Sequence, residues 1–80
     1  MSFETKLITL LSDADKIDEV NGTLFYFGWH KPGSSNAANA VWKIARRLQT
    51  GTVWAYEWAD GNQNYDNIWD NRASLTYSHL

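Results

Sequence analysis

The sequence TVWAYEWA, residues 52–59, decides the fold class of this chain. Large aromatic side chains recur at every second position, as Trp54, Tyr56 and Trp58, and smaller or polar residues lie between them. A repeat of two is the period of a β-strand, in which alternate side chains point to the same face. The stretch therefore predicts a strand that presents all three rings on one face of a sheet.

The preceding residues, 37–48, admit two interpretations. Their apolar residues have helical spacing, with a polar cap before them and a glycine after them; these residues are Ala37, Ala40, Val41, Ile44, Ala45 and Leu48. The same stretch also alternates as a strand, which would pair with the aromatic strand through a short loop at 49–51. In that hairpin, Trp42 and Ile44 are expected to lie on the same face as the three rings.

Turn-forming residues divide the first half of the chain into short segments. Asn21-Gly22 is a strong hairpin dipeptide, because both residues tolerate a positive φ. Residues 23–27 after it are rich in aromatic and β-branched residues and predict a second strand. Residues 30–39 contain Pro32-Gly33 and several Ser and Asn, which is typical of a loop. Near the start, the apolar residues of 7–11 fit either a strand or one end of a helix.

The second half ends in a different pattern. Residues 65–72 predict a single helical turn, with Asn64 or Asp66 as its cap. Residues 73–78 then return to alternation. Eighty residues make one domain at most, spanning 1–80. The predicted fold is therefore mainly β: a small antiparallel sheet or sandwich with one short helical turn near the C-terminus.

Composition narrows the classes of function. The chain has no Cys, a formal net charge of −2, and five Trp, four Tyr and three Phe. The acidic balance argues against a nucleic-acid partner, and the longest apolar run is too short for a membrane span. The N-terminus lacks the layout of a signal peptide, which predicts synthesis and retention in the cytoplasm. So many rings in a small domain indicate that some lie at a surface that contacts another molecule.

Metal binding and catalysis have little support in the sequence. Asp60, Asn62, Asn64 and Asp66 have the spacing of the first ligands of a calcium loop. The pattern then lacks the glycine and the bidentate Glu that such a loop needs, so an ordinary turn is the expectation. No serine has the surroundings of a nucleophile, and His30 has no nearby Cys. We therefore expect no enzyme activity, no catalytic residue, no metal and no cofactor.

Two groups of residues are candidates for the main roles. Trp69, Asp70 and Arg72 predict a structural tie, in which the guanidinium stacks on a ring and bonds a carboxylate or carbonyl. The candidates for a binding interface are Trp29, Trp54, Tyr56 and Trp58. A small basic patch at Lys43, Arg46 and Arg47 is weakened because adjacent strand residues point to opposite faces.

The order of features from residue 23 onward resembles a group of short proteins encoded by tailed bacteriophages. An aromatic strand containing Tyr26 and Gly28 leads to Pro32-Gly33, then to a Ser/Asn/Ala-rich loop and VWKI. The most specific parts are Ala59-Asp60-Gly61 and residues 69–74, WDNRAS. The first twenty residues contribute nothing to the resemblance.

The resemblance implies a virion component whose segments are mostly strands, and it favours the strand at 40–48. The expected function is a structural or accessory protein of the particle, in the capsid, neck or tail. Its expected partners are other virion proteins and copies of itself, with no membrane involved. The alternative, from the aromatic residues, is a carbohydrate-binding module that uses exposed Trp rings.

Overall fold

The computed structural model describes residues 13–79 of the chain. They form one antiparallel sheet of six strands with a short 3₁₀ helix near the C-terminus. The mainly β prediction is therefore confirmed, as a single sheet rather than a sandwich. The prediction for residues 7–11 lies outside the described residues.

The strands follow the chain in short antiparallel steps. The four longer ones are β1 (Lys16–Asn21), β2 (Leu24–His30), β3 (Ala40–Thr50) and β4 (Val53–Ala59). Two short strands complete the sheet, β5 (Asn67–Ile68) and β6 (Tyr77–Ser78). The order across the sheet is β1-β2-β3-β4-β6, and β5 pairs with the first part of β3. The turn between β1 and β2 consists of Gly22 and Thr23, one residue later than the predicted Asn21-Gly22, because Asn21 pairs with Leu24 at the end of β1. Neither Asn21 nor Gly22 has a positive φ, and Asn21 Oδ1 accepts a hydrogen bond from the Thr23 N–H at 2.8 Å.

β3 is the central strand, and the helical interpretation of residues 37–48 is wrong. It runs for 11 residues and pairs with β2 along one side. Along its other side it pairs first with β5 and then with β4. Pairing on both sides satisfies its backbone donors and acceptors within the sheet, which outweighs the helical spacing of its alanines.

The β3–β4 hairpin differs from prediction in register. Thr50 pairs with Val53, so the turn consists of two residues, Gly51 and Thr52, rather than the three expected at 49–51. A change of one in loop length reverses which side chains share a face. Trp42 and Ile44 therefore lie on the face opposite to the aromatic residues of β4, and the expectation that they share a face is wrong.

The helical turn begins later than the sequence predicted. Asn67 and Ile68 pair with β3, so the 3₁₀ helix spans Trp69–Ser74 rather than 65–72. The residue before it, Ile68, is extended and supplies no side-chain cap, so neither Asn64 nor Asp66 has the predicted role. The helix begins at Trp69 because the two residues before it are extended and paired with β3.

The 3₁₀ helix and the C-terminal segment cover one face of the sheet, which we call the covered face. Its buried centre comprises Tyr26, Trp42, Ile44, Ala59 and Trp69. Trp42 and Ile44 are completely buried, and the Trp42 indole N–H donates to the Asn36 carbonyl at 3.1 Å. Among residues 13–79, no helix is long and apolar enough to span a membrane.

Candidate binding surface

The opposite side of the sheet, here called the aromatic face, carries rings from two strands and cations from the strand between them. Cα pairing places Phe25 opposite Arg47, Arg47 opposite Tyr56, and Ala45 between Phe27 and Trp58. The aromatic face comprises Phe25, Phe27 and Trp29 of β2, Lys43, Ala45 and Arg47 of β3, and Trp54, Tyr56 and Trp58 of β4. All four residues predicted for the interface therefore lie on one face.

Lys43 occupies a cluster of three rings at one end of the aromatic face. Its Nζ atom lies 4.8 Å from the ring centroid of Trp29, 5.9 Å from that of Trp58 and 5.4 Å from that of Tyr65. Trp29 and Trp58 stack at 5.6 Å between centroids. Each ring contact with a cation contributes about 0.5–1 kcal/mol at an exposed site. The cluster therefore holds the Lys43 ammonium group among three aromatic rings.

Arg47 has the same arrangement at the other end. Its guanidinium carbon lies 3.8 Å from the Trp54 ring centroid, 5.3 Å from that of Phe25 and 5.9 Å from that of Tyr56. The planar guanidinium stacks on a ring more readily than an ammonium does. Alternation along β2, β3 and β4 produces both clusters, because every second side chain of each strand reaches this face.

Burial differs between the middle and the margins of the aromatic face. Phe27 and Ala45, in the middle, are buried. The side chains around them are half-buried, namely Phe25, Trp29, Trp54, Tyr56 and Trp58. Ala14, just before β1, packs against the buried pair. In the described part of the chain no helix crosses this face, in contrast to the covered face.

The interface predicted from sequence lacked five members of the aromatic face, namely Phe25, Phe27, Lys43, Ala45 and Arg47, and it also lacked the adjoining Tyr65. The alternation of Phe25, Phe27 and Trp29 was available as a signal in β2. The sequence indicated Lys43 and Arg47 as part of a basic patch but did not place them among the rings, because the expected three-residue loop set the other side of β3 against the β4 rings. Tyr65 comes from a loop, where periodicity carries no information about its direction.

The structural group at the 3₁₀ helix is assembled from two ends of the chain. Trp69 is buried against Trp42, and the Arg72 guanidinium lies 4.6 Å from the Trp69 ring centroid. Arg72 Nε donates to Asp18 Oδ2 at 3.0 Å, and Nη2 forms an ion pair with the same oxygen at 3.0 Å. Nη1 donates to the Trp69 carbonyl at 3.1 Å. Asp70 is exposed, so the carboxylate that bonds Arg72 is Asp18 of β1.

Arg46 points to the covered face, away from Lys43 and Arg47. It donates to the Glu57 carboxylate directly across the β3–β4 pair and lies 4.6 Å from the Tyr77 ring centroid. The Tyr77 hydroxyl donates to the Arg72 carbonyl at 2.8 Å. Burial, and then the neighbouring Tyr26, raise the pKa of Tyr77 well above its ordinary value. These polar groups tie the C-terminal segment to the sheet.

The loop at 60–66 has the features of a turn. Asp60 has a positive φ of 59°, and Asn62 Oδ1 accepts a hydrogen bond from the Asn64 N–H at 3.0 Å. Within residues 13–79, no three His, Asp or Glu side chains are grouped closely enough to hold a metal ion. His30 lies near Asp15, whose carboxylate is 3.7 Å from Nε2, and its Nδ1 contacts the Lys31 carbonyl at 2.8 Å.

Comparisons with known proteins add no relative. No family model matches this chain. No curated protein and no solved structure matches it either. A function therefore has to be inferred from the aromatic face and from the sequence pattern that begins at residue 23.

Proposed function

We propose that this protein is a structural or accessory component of a tailed-phage particle. It contacts other virion proteins and copies of itself through the aromatic face. Under this proposal the chain is made in the host cytoplasm and resides in the capsid, neck or tail of the virion. The sequence pattern from residue 23 onward supports the phage origin, and the make-up of the aromatic face supports the mode of contact.

The observation that carries the proposal is the concentration of Trp, Tyr and Arg on one side of the sheet. These residue types dominate the binding energy of protein interfaces, because a large rigid ring or a planar guanidinium loses little entropy when it is buried. The opposite side of the sheet is occupied by the chain's own C-terminal segment. The aromatic face is therefore the side best suited to a partner.

A binding role fits the arrangement of charges better than a catalytic one. Glu57, the one carboxylate within β4, lies on the covered face and accepts a hydrogen bond from Arg46. The cations of the aromatic face contact rings, which favours recognition by surface complementarity.

Carbohydrate binding is the second candidate, and the Trp29–Trp58 pair favours it. The two half-buried rings stack at 28° to one another beside Tyr65 and Lys43. Sugar rings pack their apolar faces on indoles, and an ammonium donates to their hydroxyls. This candidate predicts quenching of Trp fluorescence by a soluble polysaccharide and retention on an insoluble one.

Sedimentation of the full chain at micromolar concentration tests the first proposal. We expect multimers, or a stable complex with density-purified particles of the phage that encodes the chain. The variant Trp54→Ser removes a ring that contacts Arg47 and should reduce either association at least tenfold. The control is Val53→Ser, its neighbour on β4, which removes an apolar side chain that is 65% exposed and lies off the aromatic face.

The outcomes separate the two candidates. Association that weakens in the Trp54 variant and persists in the Val53 variant supports a protein interface on the aromatic face. A strictly monomeric chain that binds no particle component contradicts the proposal. If that chain also binds a polysaccharide, with loss of binding in Trp29→Ser, the carbohydrate candidate replaces it.

A further inference from the structure

The outer edge of β1 pairs with no other strand of residues 13–79. β1 is the first strand in the order across the sheet, and its partner on the inner side is β2. Such an edge presents a row of backbone N–H and C=O groups to which a further strand can bond. Ile17, in the regular part of this edge, is 50% exposed although its side chain is large and apolar.

Hydrogen bonds at the two ends of β2 show the direction of its backbone groups. Just before β2, the Thr23 carbonyl accepts a hydrogen bond from the Gln49 N–H at 2.8 Å. Just after β2, the Lys31 N–H donates to the Val41 carbonyl at 3.0 Å. The odd-numbered residues of β2 therefore direct their backbone groups to β3, and the even-numbered residues direct theirs to β1.

The same alternation holds in β1. Its residues that lie opposite even-numbered residues of β2 are Lys16 and Asp18, and their backbone groups bond to β2. The backbone N–H and C=O of Ile17 and Glu19 therefore face away from the sheet. They are the groups that a strand added at this edge would bond.

Charge selects one register for pairing with a second copy. About a two-fold axis perpendicular to the sheet, one residue of β1 lies opposite itself. An axis at Lys16, Asp18 or Glu19 places like charges directly opposite, which is destabilising. An axis at Ile17 places two apolar side chains together and sets Lys16 of each copy opposite Asp18 of the other. The bulge that follows Glu19 ends the regular part of the edge.

We propose that two copies of this chain pair through β1, antiparallel and centred on Ile17. The two Ile17 residues form a hydrogen-bonded pair, and Lys16 and Asp18 form the closer type of pair, with Cα atoms about 4.5 Å apart. Arg72 contacts Oδ2 of Asp18, so Oδ1 is left to accept a hydrogen bond from the Lys16 ammonium of the second copy.

One pair of like charges remains in this register. Asp15 comes opposite Glu19 of the second copy. Asp15 precedes β1, and its carboxylate accepts the His30 N–H at 3.1 Å and lies 3.7 Å from His30 Nε2. The Asp15 carboxylate is therefore directed to the end of β2, away from the outer edge.

The pairing goes beyond the proposed function, because it uses an edge of the sheet rather than the aromatic face. An axis perpendicular to the sheet leaves the aromatic faces of both copies on the same side of a sheet of twice the width. A particle component that contacts both faces gains avidity without any new contact.

Disulfide trapping tests the pairing directly. The chain has no natural Cys, so Ile17→Cys provides a single thiol in each copy. Paired residues at the axis have Cα atoms about 5.5 Å apart, within the range that a disulfide spans. The control is Val20→Cys, which is 51% exposed in the same strand but lies away from the axis.

Under mild oxidation at micromolar concentration, Ile17→Cys should form a linked dimer roughly tenfold faster than Val20→Cys. Thermal melts of the reduced proteins check that both variants fold. Equal rates of linkage would overturn the proposal.

The charge pairs provide a second test in the Ile17→Cys chain. Adding Lys16→Glu reverses both pairs with Asp18 and should slow the linkage roughly fivefold. Adding Lys16→Arg keeps the charge and should leave the rate close to that of Ile17→Cys alone. An unchanged rate with Lys16→Glu would exclude the proposed register.

Amide exchange in the unsubstituted protein identifies the occupant of the edge. The Ile17 amide should exchange more slowly as the protein concentration rises, whereas the Asp18 amide, which bonds β2, should be protected at every concentration. Protection of Ile17 that does not depend on concentration would show that the chain covers its own edge, and it would overturn the proposal.

Trp54→Ser separates this proposal from the proposed function. Trp54 lies on the aromatic face, so its loss should leave the linkage of Ile17→Cys unchanged. A parallel loss of linkage in Trp54→Ser would mean that the copies meet through the aromatic face instead of through β1.

Discussion

At the scale of single residues, steric contacts and hydroxyl hydrogen bonds limit which substitutions the covered face tolerates. Gly28 lies in β2 beneath two indoles, and Tyr77 lies in the C-terminal segment, where its hydroxyl donates to the Arg72 carbonyl. Both positions belong to the covered face. At Gly28 there is no room for a larger side chain, and at Tyr77 the hydroxyl makes a hydrogen bond. A substitution at either position is therefore expected to lower the stability of the fold.

Gly28→Ala should destabilise the fold by about 1–3 kcal/mol, the usual cost of overpacking a core. A Cβ atom at this position would lie 2.5 Å from Cε3 and Cζ3 of Trp69 and 3.0 Å from Cε3 of Trp42. Urea unfolding measures the loss. Gly22→Ala is the control, because a Cβ there meets nothing within 4 Å. Equal midpoints for the two variants would mean that the indoles move aside freely.

Tyr77→Phe should reduce stability by about 1 kcal/mol at pH 7, because the Arg72 carbonyl loses its donor. The raised pKa of Tyr77 adds a pH dependence. Below pH 10 both the folded and the unfolded states keep this proton. As the pH rises above 10, the unfolded chain releases it first, so the free energy of unfolding of the parent falls.

The phenylalanine variant lacks that titration, and its stability should decline less steeply above pH 10. Urea unfolding of parent and variant between pH 7 and pH 11 gives the comparison. Parallel profiles for the two proteins would show that Tyr77 has its ordinary pKa in the folded state.

At the scale of elements, the β3–β4 turn sets which residues form each face. Gly51 has a φ of 63° at the first position of the two-residue turn, as in a type II′ hairpin. That turn pairs Arg47 with Tyr56 and Ala45 with Trp58. The aromatic face, with a cation at each end, is therefore a consequence of turn geometry as well as of strand alternation.

Gly51→Val should cost about 1–2 kcal/mol, because a β-branched side chain at positive φ brings Cβ against the following carbonyl. Gly51→Asn should cost less, since Asn tolerates the left-handed region. Thermal unfolding of the two variants provides the measurement, and each serves as the control for the other. If Val is tolerated as well as Asn, the turn does not require a positive φ in solution.

At the scale of the whole molecule, one buried indole joins the C-terminal segment to the sheet. A domain of 80 residues without disulfides has a net stability of only about 3–5 kcal/mol. Trp69 is buried against Trp42, and its segment also holds Arg72 against Asp18 of β1. The fold therefore depends on contacts between β1 and the 3₁₀ helix, which join residues 54 positions apart in sequence.

Trp69→Ala should remove about 3–5 kcal/mol, which is enough to unfold most of the population. Far-ultraviolet circular dichroism during heating and urea titration tests this expectation. Asp70→Ala, at the exposed neighbouring position, should melt close to the parent. A cooperative Trp69→Ala melt within a few degrees of the parent would contradict a core role for this indole.

The sequence by itself determined the fold class and part of the candidate surface. Period-two alternation is a local property of one strand, so the position of Trp54, Tyr56 and Trp58 on a common face follows from their spacing alone. A hairpin close to Asn21-Gly22 also follows from local turn chemistry, although the turn itself lies one residue later, at Gly22 and Thr23. Residues 37–48 are ambiguous in sequence, because helical and strand periods overlap in a short run rich in alanine.

Only the tertiary structure decided how these pieces meet. The β3–β4 register placed Lys43 and Arg47 among the rings, and it placed Trp42 and Ile44 in the core. The sequence did not determine this register, because a change of one residue in the length of a turn moves each side chain of the following strand to the opposite face of the sheet. Pairing of β5 with β3 delayed the 3₁₀ helix to Trp69. Arg72 bonds Asp18 rather than the nearby Asp70, because the fold brings β1 beneath the helix, and sequence separation carries no information about that distance.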